Sequence, residues 1–304
     1  MECNSLKKYM VIDVGGTAIK YALMDEDYNF LEKGEILTPK ESLEIYLNTL
    51  VDLIQGYKQV ISGAAFSMPG QIDAANGYLF TGGCLDHFIH EYPIAGKIQD
   101  CIGLPVTVEN DAKCAGLAEA AKGVLKDCKD AIVIVFGTAI GGCLIKDGKV
   151  HSGNKFSAGE VSNLLVNDDF ESDDCLWSIQ NGNPRMIQRV SKAIGVPEEE
   201  LDGRKIFAMA NEGNELVLNT LRKHFREIAI QIYNLQAIYD PKCIAIGGGI
   251  SQQPLVIRLI QDGLDEIYKK VPRTVYPVNL VACKFRSDAN LIGALYYHLE
   301  RNIR

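Results

Sequence analysis

Two stretches of this chain of 304 residues end a strand-like run in the same four residues. Gly16-Thr17-Ala18-Ile19 follows a run that closes on Asp13-Val14-Gly15, and Gly137-Thr138-Ala139-Ile140 follows Ala131-Ile132-Val133-Ile134-Val135-Phe136. A glycine–threonine turn that closes a buried hairpin presents backbone N–H groups and a hydroxyl to whatever lies above it. Glycine matters there because a Cβ would hold phosphate oxygens away from the backbone. Catalysed phosphoryl transfer is mostly positioning and charge neutralisation, and a carboxylate can hold magnesium, usually through water. Asp13, Gly15, Gly16 and Thr17 supply the acid, the bare backbone and the hydroxyl within five residues. Gly137 and Thr138 supply a second set of donors. The pair points to two facing lobes that hold one phosphate chain from both sides.

Either corner alone reads equally well as a plain hairpin turn, because short glycine motifs specify function loosely. A third loop, Gly247-Gly248-Gly249 after the apolar run at 243–246, favours the phosphate reading. A dinucleotide fold is disfavoured, since Gly15-Gly16-Thr17 leads into another strand whereas dinucleotide loops open a helix. The sequence has no Walker Gly-x-x-x-x-Gly-Lys-Ser/Thr either. A kinase acting on an alcohol also needs a carboxylate beside the attacking hydroxyl. Glu109-Asn110-Asp111 lies between a strand pattern and a small-residue helix. Asp111 is the candidate base, and the amide of Asn110 can both donate and accept. By spacing alone the same residues also make an ordinary helix N-cap.

The elements that must position these groups show in the periodicity. Residues 9–14 and 18–25 alternate as two strands, and 41–55 carries apolar residues at helical spacing. Residues 60–66 predict a strand ending in the turn Ser67-Met68-Pro69-Gly70. A helix over 92–100, a short strand over 106–109 and a helix over 112–123 follow. The pattern then restarts with strands over 131–136 and 142–146, and Asp147-Gly148 turns the chain back. Residues 151–175 read as an excursion from the core. Helices are expected over 184–194, 204–212, 215–239, 255–269 and 289–300, with strands at 243–246 and 278–283. The second hairpin echoes the first and suggests a duplicated fold.

Bulk composition narrows the classes. The length suits two domains, and 47% hydrophobic with 23% charged residues is ordinary for a globular protein. A net charge of −8 argues against nucleic acid, where affinity comes largely from neutralising phosphates. A small anion such as ATP is still accommodated by backbone dipoles and magnesium. No apolar run reaches the roughly 18 residues of a membrane span, and the first residues lack a secretory apolar stretch. Nine scattered cysteines without a Cys-x-x-Cys pair read as reduced thiols, so the expectation is a cytoplasmic protein. His87, His90, His151, His224 and His298 show no ligand or relay spacing and are expected to be surface or packing residues.

With these residues in view, the chain resembles the ROK family of sugar kinases and repressors. The resemblance rests on Asp13-Val14-Gly15-Gly16-Thr17, Ser67-Met68-Pro69-Gly70, Glu109-Asn110-Asp111-Ala112, Gly137-Thr138-Ala139-Ile140-Gly141-Gly142, Ala158-Gly159-Glu160 and Ile246-Gly247-Gly248-Gly249-Ile250, in that order. It implies an α/β fold of two ribonuclease-H-like domains of the actin, hexokinase and Hsp70 superfamily with an active-site cleft between them. The lobes would comprise residues 1–118 plus 289–304, and 119–288. The implied reaction is ATP-dependent phosphorylation of a sugar 6-hydroxyl, with Asp111 as general base and lobe closure excluding water. The sugar would be held by the backbone of Gly70 and by Gln71, Asn110, Glu160 and Asn163. Asp13, Gly15, Gly16, Thr17, Lys20, Gly137 and Thr138 would serve the phosphates and magnesium, and Gly248 and Gly249 the adenosine end. A homodimer is the family's usual assembly.

Three departures from the family pattern carry expectations of their own. The usual Gly-Glu-x-Gly-His is here Gly159-Glu160-Val161-Ser162-Asn163, and the three-cysteine cluster that normally follows is reduced to Cys175. A tetrahedral structural zinc needs four ligands, so no zinc is expected. A glutamate near the sugar's anomeric end aligns with Trp177. That residue is either an aromatic surface admitting a substituent on C1, as in a β-glucoside or disaccharide, or a core or lid aromatic. Ala139 also stands where glycine is usual. Alternatives are N-acetylmannosamine kinase and a non-catalytic sugar-binding or regulatory protein. Family repressors carry an N-terminal helix-turn-helix domain, whereas here the phosphate loop begins at Asp13, so the enzyme reading is preferred.

Overall fold

A computed structural model describes residues 6–271 and 275–302 of the chain. Residues 1–5, 272–274 and 303–304 lie outside it, and with them Cys3, most of the N-terminal stretch read for a secretory signal and the outer ends of the first lobe drawn from sequence. The alternating segments at the start form an antiparallel hairpin of β1 (Lys8–Val14) and β2 (Ala18–Asp25), which pairs Asp13 with Lys20. A third strand, β3 (Phe30–Leu37), extends the hairpin. Its Glu32-Lys33-Gly34-Glu35 centre and exposed Leu37 hide it from a hydrophobic scan, as suits an edge strand. Helix α1 (Leu43–Gln55) follows, with the Ser42 hydroxyl accepting from the Ile45 N–H at 3.2 Å.

Strand β4 (Ala64–Met68) is buried throughout and runs parallel to β1. The expected strand over 60–66 begins late because Val60 N–H closes a turn on Tyr57 and Ser62 N–H reaches Lys8. A small hairpin of β5 (Ile72–Asp73) and β6 (Tyr78–Leu79) precedes α2 (Ile94–Ile102), β7 (Val106–Asn110) and α3 (Asp111–Lys122). The resulting sheet has the order β3-β2-β1-β4-β7. Its core is built on Ile12, Phe66 and Val108 of the strands with Tyr46, Leu50 and Ile54 of α1.

The chain then repeats this plan with β8 (Ala131–Phe136), β9 (Ile140–Lys146) and β10 (Lys149–Val150). Helices α4 (Trp177–Asn181), α5 (Asn183–Ile194), α6 (Gly203–Asn211) and α7 (Glu215–Tyr239) come next. Strand β11 (Cys243–Gly248), helix α8 (Pro254–Lys270) and β12 (Asn279–Ala282) complete a sheet of order β10-β9-β8-β11-β12. Ile132, Ile134, Ile244 and Ile246 of its strands pack with Phe225, Ile228 and Ile232 of α7. Finally α9 (Ala289–Asn302) returns to the first sheet and covers β1, β4 and β7.

Two compact units result. The first comprises residues up to Ala121, Ser152–Ala158 and those from Asp288 on, and the second Lys122–His151 with Gly159–Ser287. The sequence division fell at 118/119 and 288/289 and left 151–175 as one excursion, whereas the structure gives Ser152–Ala158 to the first unit. Each unit buries one histidine. In α9, His298 shares a 2.9 Å hydrogen bond with the Thr107 hydroxyl, and burial holds its pKa down to about 4. In α7, burial and the neighbouring Arg189 guanidinium hold His224 down to about 3. No helix among the described residues is long and apolar enough to cross a membrane.

Candidate active site

Three parallel strands of the first unit end side by side, and ligands of open α/β sheets bind beyond such carboxyl ends. The register places Asp13 beside Ser67, and Ser67 beside Glu109. The Ser67 hydroxyl donates to Asp13 Oδ1 at 2.7 Å, and Asn290 Nδ2 of α9 donates to the same oxygen at 3.0 Å. Burial pushes the Asp13 carboxyl pKa upward, while these two hydrogen bonds and the Lys20 ammonium across the hairpin pull it back in part. Sequence reasoning took Ser67 only as the start of a turn and passed over Asn290.

The first glycine corner is braced from behind. Gly15 N–H donates to the Ala18 carbonyl at 3.0 Å, Thr38 Oγ1 donates to the Gly15 carbonyl at 2.7 Å, and Thr38 N–H to the Thr17 carbonyl at 3.0 Å. Thr38 thus fixes both carbonyls of the turn, while Thr17 itself is exposed. No motif marks Thr38 in the sequence, because its role exists only once β3 has paired.

The candidate base lies one strand further along. Gly70 has φ +101°, and a Cβ there would collide with the Thr81 carbonyl, so this turn demands glycine. Asn110 Nδ2 donates to the Gly70 carbonyl at 2.9 Å, and its Oδ1 accepts from the Lys113 N–H at 3.0 Å. Asn110, 4% exposed, is therefore the residue that caps α3 and ties it to the Gly70 turn. That leaves Asp111 as the first residue of the helix, with Oδ1 accepting from the Ala112 N–H at 2.7 Å. Its carboxylate stands at the positive end of the helix dipole, where negative charge is favoured. Gln71 is spent on protein: its N–H donates to Thr81 Oγ1 at 3.0 Å and its amide to the Lys155 carbonyl.

In the second unit the corner and the triple-glycine loop are neighbours. Gly248 pairs with Phe136 in the β11–β8 ladder, immediately before Gly137 and Thr138. It has φ +87°, and a Cβ would meet the Phe136 carbonyl, so the two loops interlock only through glycine. Gly137 N–H donates to the Ala139 carbonyl at 2.9 Å, and Asn183 N–H at the start of α5 donates to the Gly137 carbonyl at 3.0 Å. Ser251 Oγ closes the Gly248 carbonyl at 2.8 Å. Beyond it, Ser251, Pro254, Ile257, Leu280 and Arg286 line a cavity of about 510 Å³. Asn183 was not singled out in the sequence, yet its Oδ1 is buried without a hydrogen-bond partner among the described residues. Glu160 and Asn163 also belong to this unit, on either side of the short turn Val161–Asn163, which is tied by Asn163 N–H to the Glu160 carbonyl. Glu160 is half-buried and Asn163 exposed.

Of the two readings the sequence left open for Trp177, the structure takes the core one. Trp177 is 0% exposed and lies in the second core with Ile140, Val161 and Met186. Its backbone N–H donates to the Leu164 carbonyl at 2.8 Å, which docks the short α4. It offers no aromatic surface to a sugar.

The site comprises one half-buried acid braced at a strand end, one carboxylate at a helix start, and two glycine corners on duplicated sheets. Comparison with known proteins points the same way. The sequence pattern of the ROK family matches residues 9–301. A β-glucoside kinase of Klebsiella pneumoniae is 28% identical, covering 95% of each chain. An N-acetylmannosamine kinase of Escherichia coli is 27% identical, covering 94% of this chain and 96% of its own. The crystal structure of a ROK family protein from Streptococcus pneumoniae in complex with sucrose has a TM-score of 0.84 at 31% identity, covering 97% and 99%. With the strand order of both sheets, this likeness gives the ribonuclease-H-like fold of the actin, hexokinase and Hsp70 superfamily.

Proposed function

We propose, from the premise that this chain belongs to the ROK family and is a sugar kinase, that it transfers the γ-phosphoryl group of ATP to the 6-hydroxyl of a hexose or β-glucoside. The observation that carries this reading is the row Asp13–Ser67–Glu109 continuing into Asn110 and Asp111. Asn110 caps the helix, and Asp111, whose Oδ1 accepts from the Ala112 N–H, takes the O6 proton as the phosphoryl group moves. The remaining amide hydrogen of Asn110, the Gly70 backbone, Gln71 through its Oε1, Glu160 and Asn163 hold the other hydroxyls. Gly15, Gly16, Thr17 and Lys20 receive phosphate oxygens from the first unit, and Gly137, Thr138, Gly248 and Gly249 receive the nucleotide from the second.

Magnesium fits the first corner. Both protein hydrogen bonds to Asp13 land on Oδ1, and Oδ2 takes neither of them. Asp13 would hold the ion through water, and the bound ion supplies charge neutralisation at the β- and γ-phosphates. Asp13 itself is held by Ser67 and Asn290 through Oδ1.

Two acceptors compete. The relative named β-glucoside kinase favours a sugar substituted at C1, and the relative named N-acetylmannosamine kinase favours an N-acetylated hexosamine. A coupled ADP-release assay across free hexoses, N-acetylated hexosamines and β-glucosides decides between them. In the same assay Asp111→Asn should lower kcat by about 10²–10⁴-fold with nucleotide affinity unchanged. Rates near wild type would remove Asp111 as the base.

A further inference from the structure

With Trp177 buried, no residue so far accounts for recognition of a group on C1, yet the first unit carries an aromatic pair beside its sugar-binding turn. Phe80 is 38% exposed, and its N–H donates to the Gln71 carbonyl at 2.8 Å. The next residue, Thr81, accepts from the Gln71 N–H and packs on Gly70. Phe156, from the excursion at 152–158, stacks on Phe80 at 5.7 Å between centroids and 19° between planes. Tyr78 meets the Phe80 ring edge-on at 5.1 Å.

Three features set this pair apart from stray surface apolar residues, which need no explanation. Phe156 has φ +59°, a conformation that a bulky residue adopts only when its surroundings impose it. Its carbonyl accepts from Lys113 Nζ at 2.7 Å, and Lys113 is 0% exposed. The adjoining Lys155 carbonyl accepts from the Gln71 amide. A buried lysine two residues after Asp111 thus holds the ring in a strained position against an exposed partner. Strain of this kind collects at ligand sites.

We infer that Phe80 and Phe156 form the subsite for the group attached to C1 of the sugar, an aryl aglycone or a second pyranose ring. Both offer a flat apolar face that packs on phenyl rings, while the hydroxyls of the phosphorylated ring remain with the polar turn at Gly70 and Gln71. This inference rests on the sugar-kinase reading and assigns the C1 side of the same site. Lys113 and Gln71 act as positioning residues that fix the wall relative to Asp111.

The test uses the full chain and two readouts, calorimetric binding and coupled turnover, with glucose, cellobiose and phenyl β-glucoside. Phe80→Leu keeps apolar bulk but removes the flat face. It should weaken binding and kcat/KM for the glycosides by roughly tenfold and leave glucose within about twofold. Phe80→Tyr should restore both. Phe156→Leu should reproduce the pattern, and its thermal midpoint reports whether the strained loop survives. Loss confined to phenyl β-glucoside identifies an aryl subsite, and loss on cellobiose as well identifies a sugar subsite. An equal fall on glucose, or no change on either glycoside, overturns the inference. A wild-type enzyme that binds and phosphorylates glucose but takes neither glycoside overturns it while leaving the kinase reading intact. Failure to phosphorylate any sugar sinks that reading, and glycoside binding to the variants still decides the wall.

Discussion

The two sheets share one strand order and one Gly-Thr-Ala-Ile corner, but they differ at a single decisive place. Aligned on the corner, Asp13 of the first unit corresponds to Ile134 of the second. Asp13 is braced by Ser67 and Asn290, whereas Ile134 is a fully buried core residue. The same backbone therefore serves two purposes. In the second unit it offers N–H groups and a hydroxyl over an apolar core. In the first, one side chain turns the equivalent strand end into a charged site, at the cost of desolvating a carboxylate.

Exchanging these residues breaks the comparison most sharply. Asp13→Ile should lower kcat by about 10²-fold or more while raising or preserving the denaturation midpoint, because an apolar residue suits that strand. Ile134→Asp should do the opposite: it buries an unpaired carboxylate and should destabilise the protein by about 3–5 kcal/mol, measured by urea unfolding. Equal effects of the two exchanges on stability would show that the two strand ends are not distinct environments.

The hydroxyls sharpen the comparison at smaller scale. On the proposed reading, Thr17→Val and Thr138→Val each remove one donor to the phosphate chain and should each cost about tenfold in kcat/KM for ATP. If only one of them matters, the corners do not share the nucleotide load.

A further expected effect concerns acid. His298 in the first unit and His224 in the second have pKa values lowered to about 4 and about 3. Each unfolded histidine binds a proton below about pH 6.5, while the folded one resists it. Stability is therefore complete above about pH 6.5 and falls as pH drops toward the folded values. At about pH 5 each histidine should cost on the order of 2 kcal/mol. Urea midpoints for wild type and for each His→Gln variant, near neutrality and near pH 5, check the slope. A slope left unchanged by both substitutions would exclude these histidines as its source.

Much of this was legible in the sequence because the informative groups are local. The Gly15-Gly16-Thr17 and Gly137-Thr138 corners, the triple-glycine loop and the Asn110-Asp111 step each complete their pattern within a few residues. What could not be read depends on distant partners. Asn290 reaches Asp13 across 277 positions of sequence, and Thr38 braces the first corner only through a polar edge strand. Trp177 stood open between a sugar-facing and a core role, and only tertiary packing, which turns it inward, decides for the core. Lys113 would pass for a solvated helix residue, since nothing nearby announces that the Phe156 carbonyl will arrive to accept its hydrogen bond.

The last helix has a consequence for how the molecule is made. Synthesis runs from the amino terminus, so α9 leaves the ribosome only after the entire second unit has been translated. Until then β1, β4 and β7 lack the cover that Leu291, Ile292 and Leu295 provide, and Asp13 lacks Asn290. The first unit is thus begun first and finished last, and Asp13 gains its Asn290 hydrogen bond only when α9 docks.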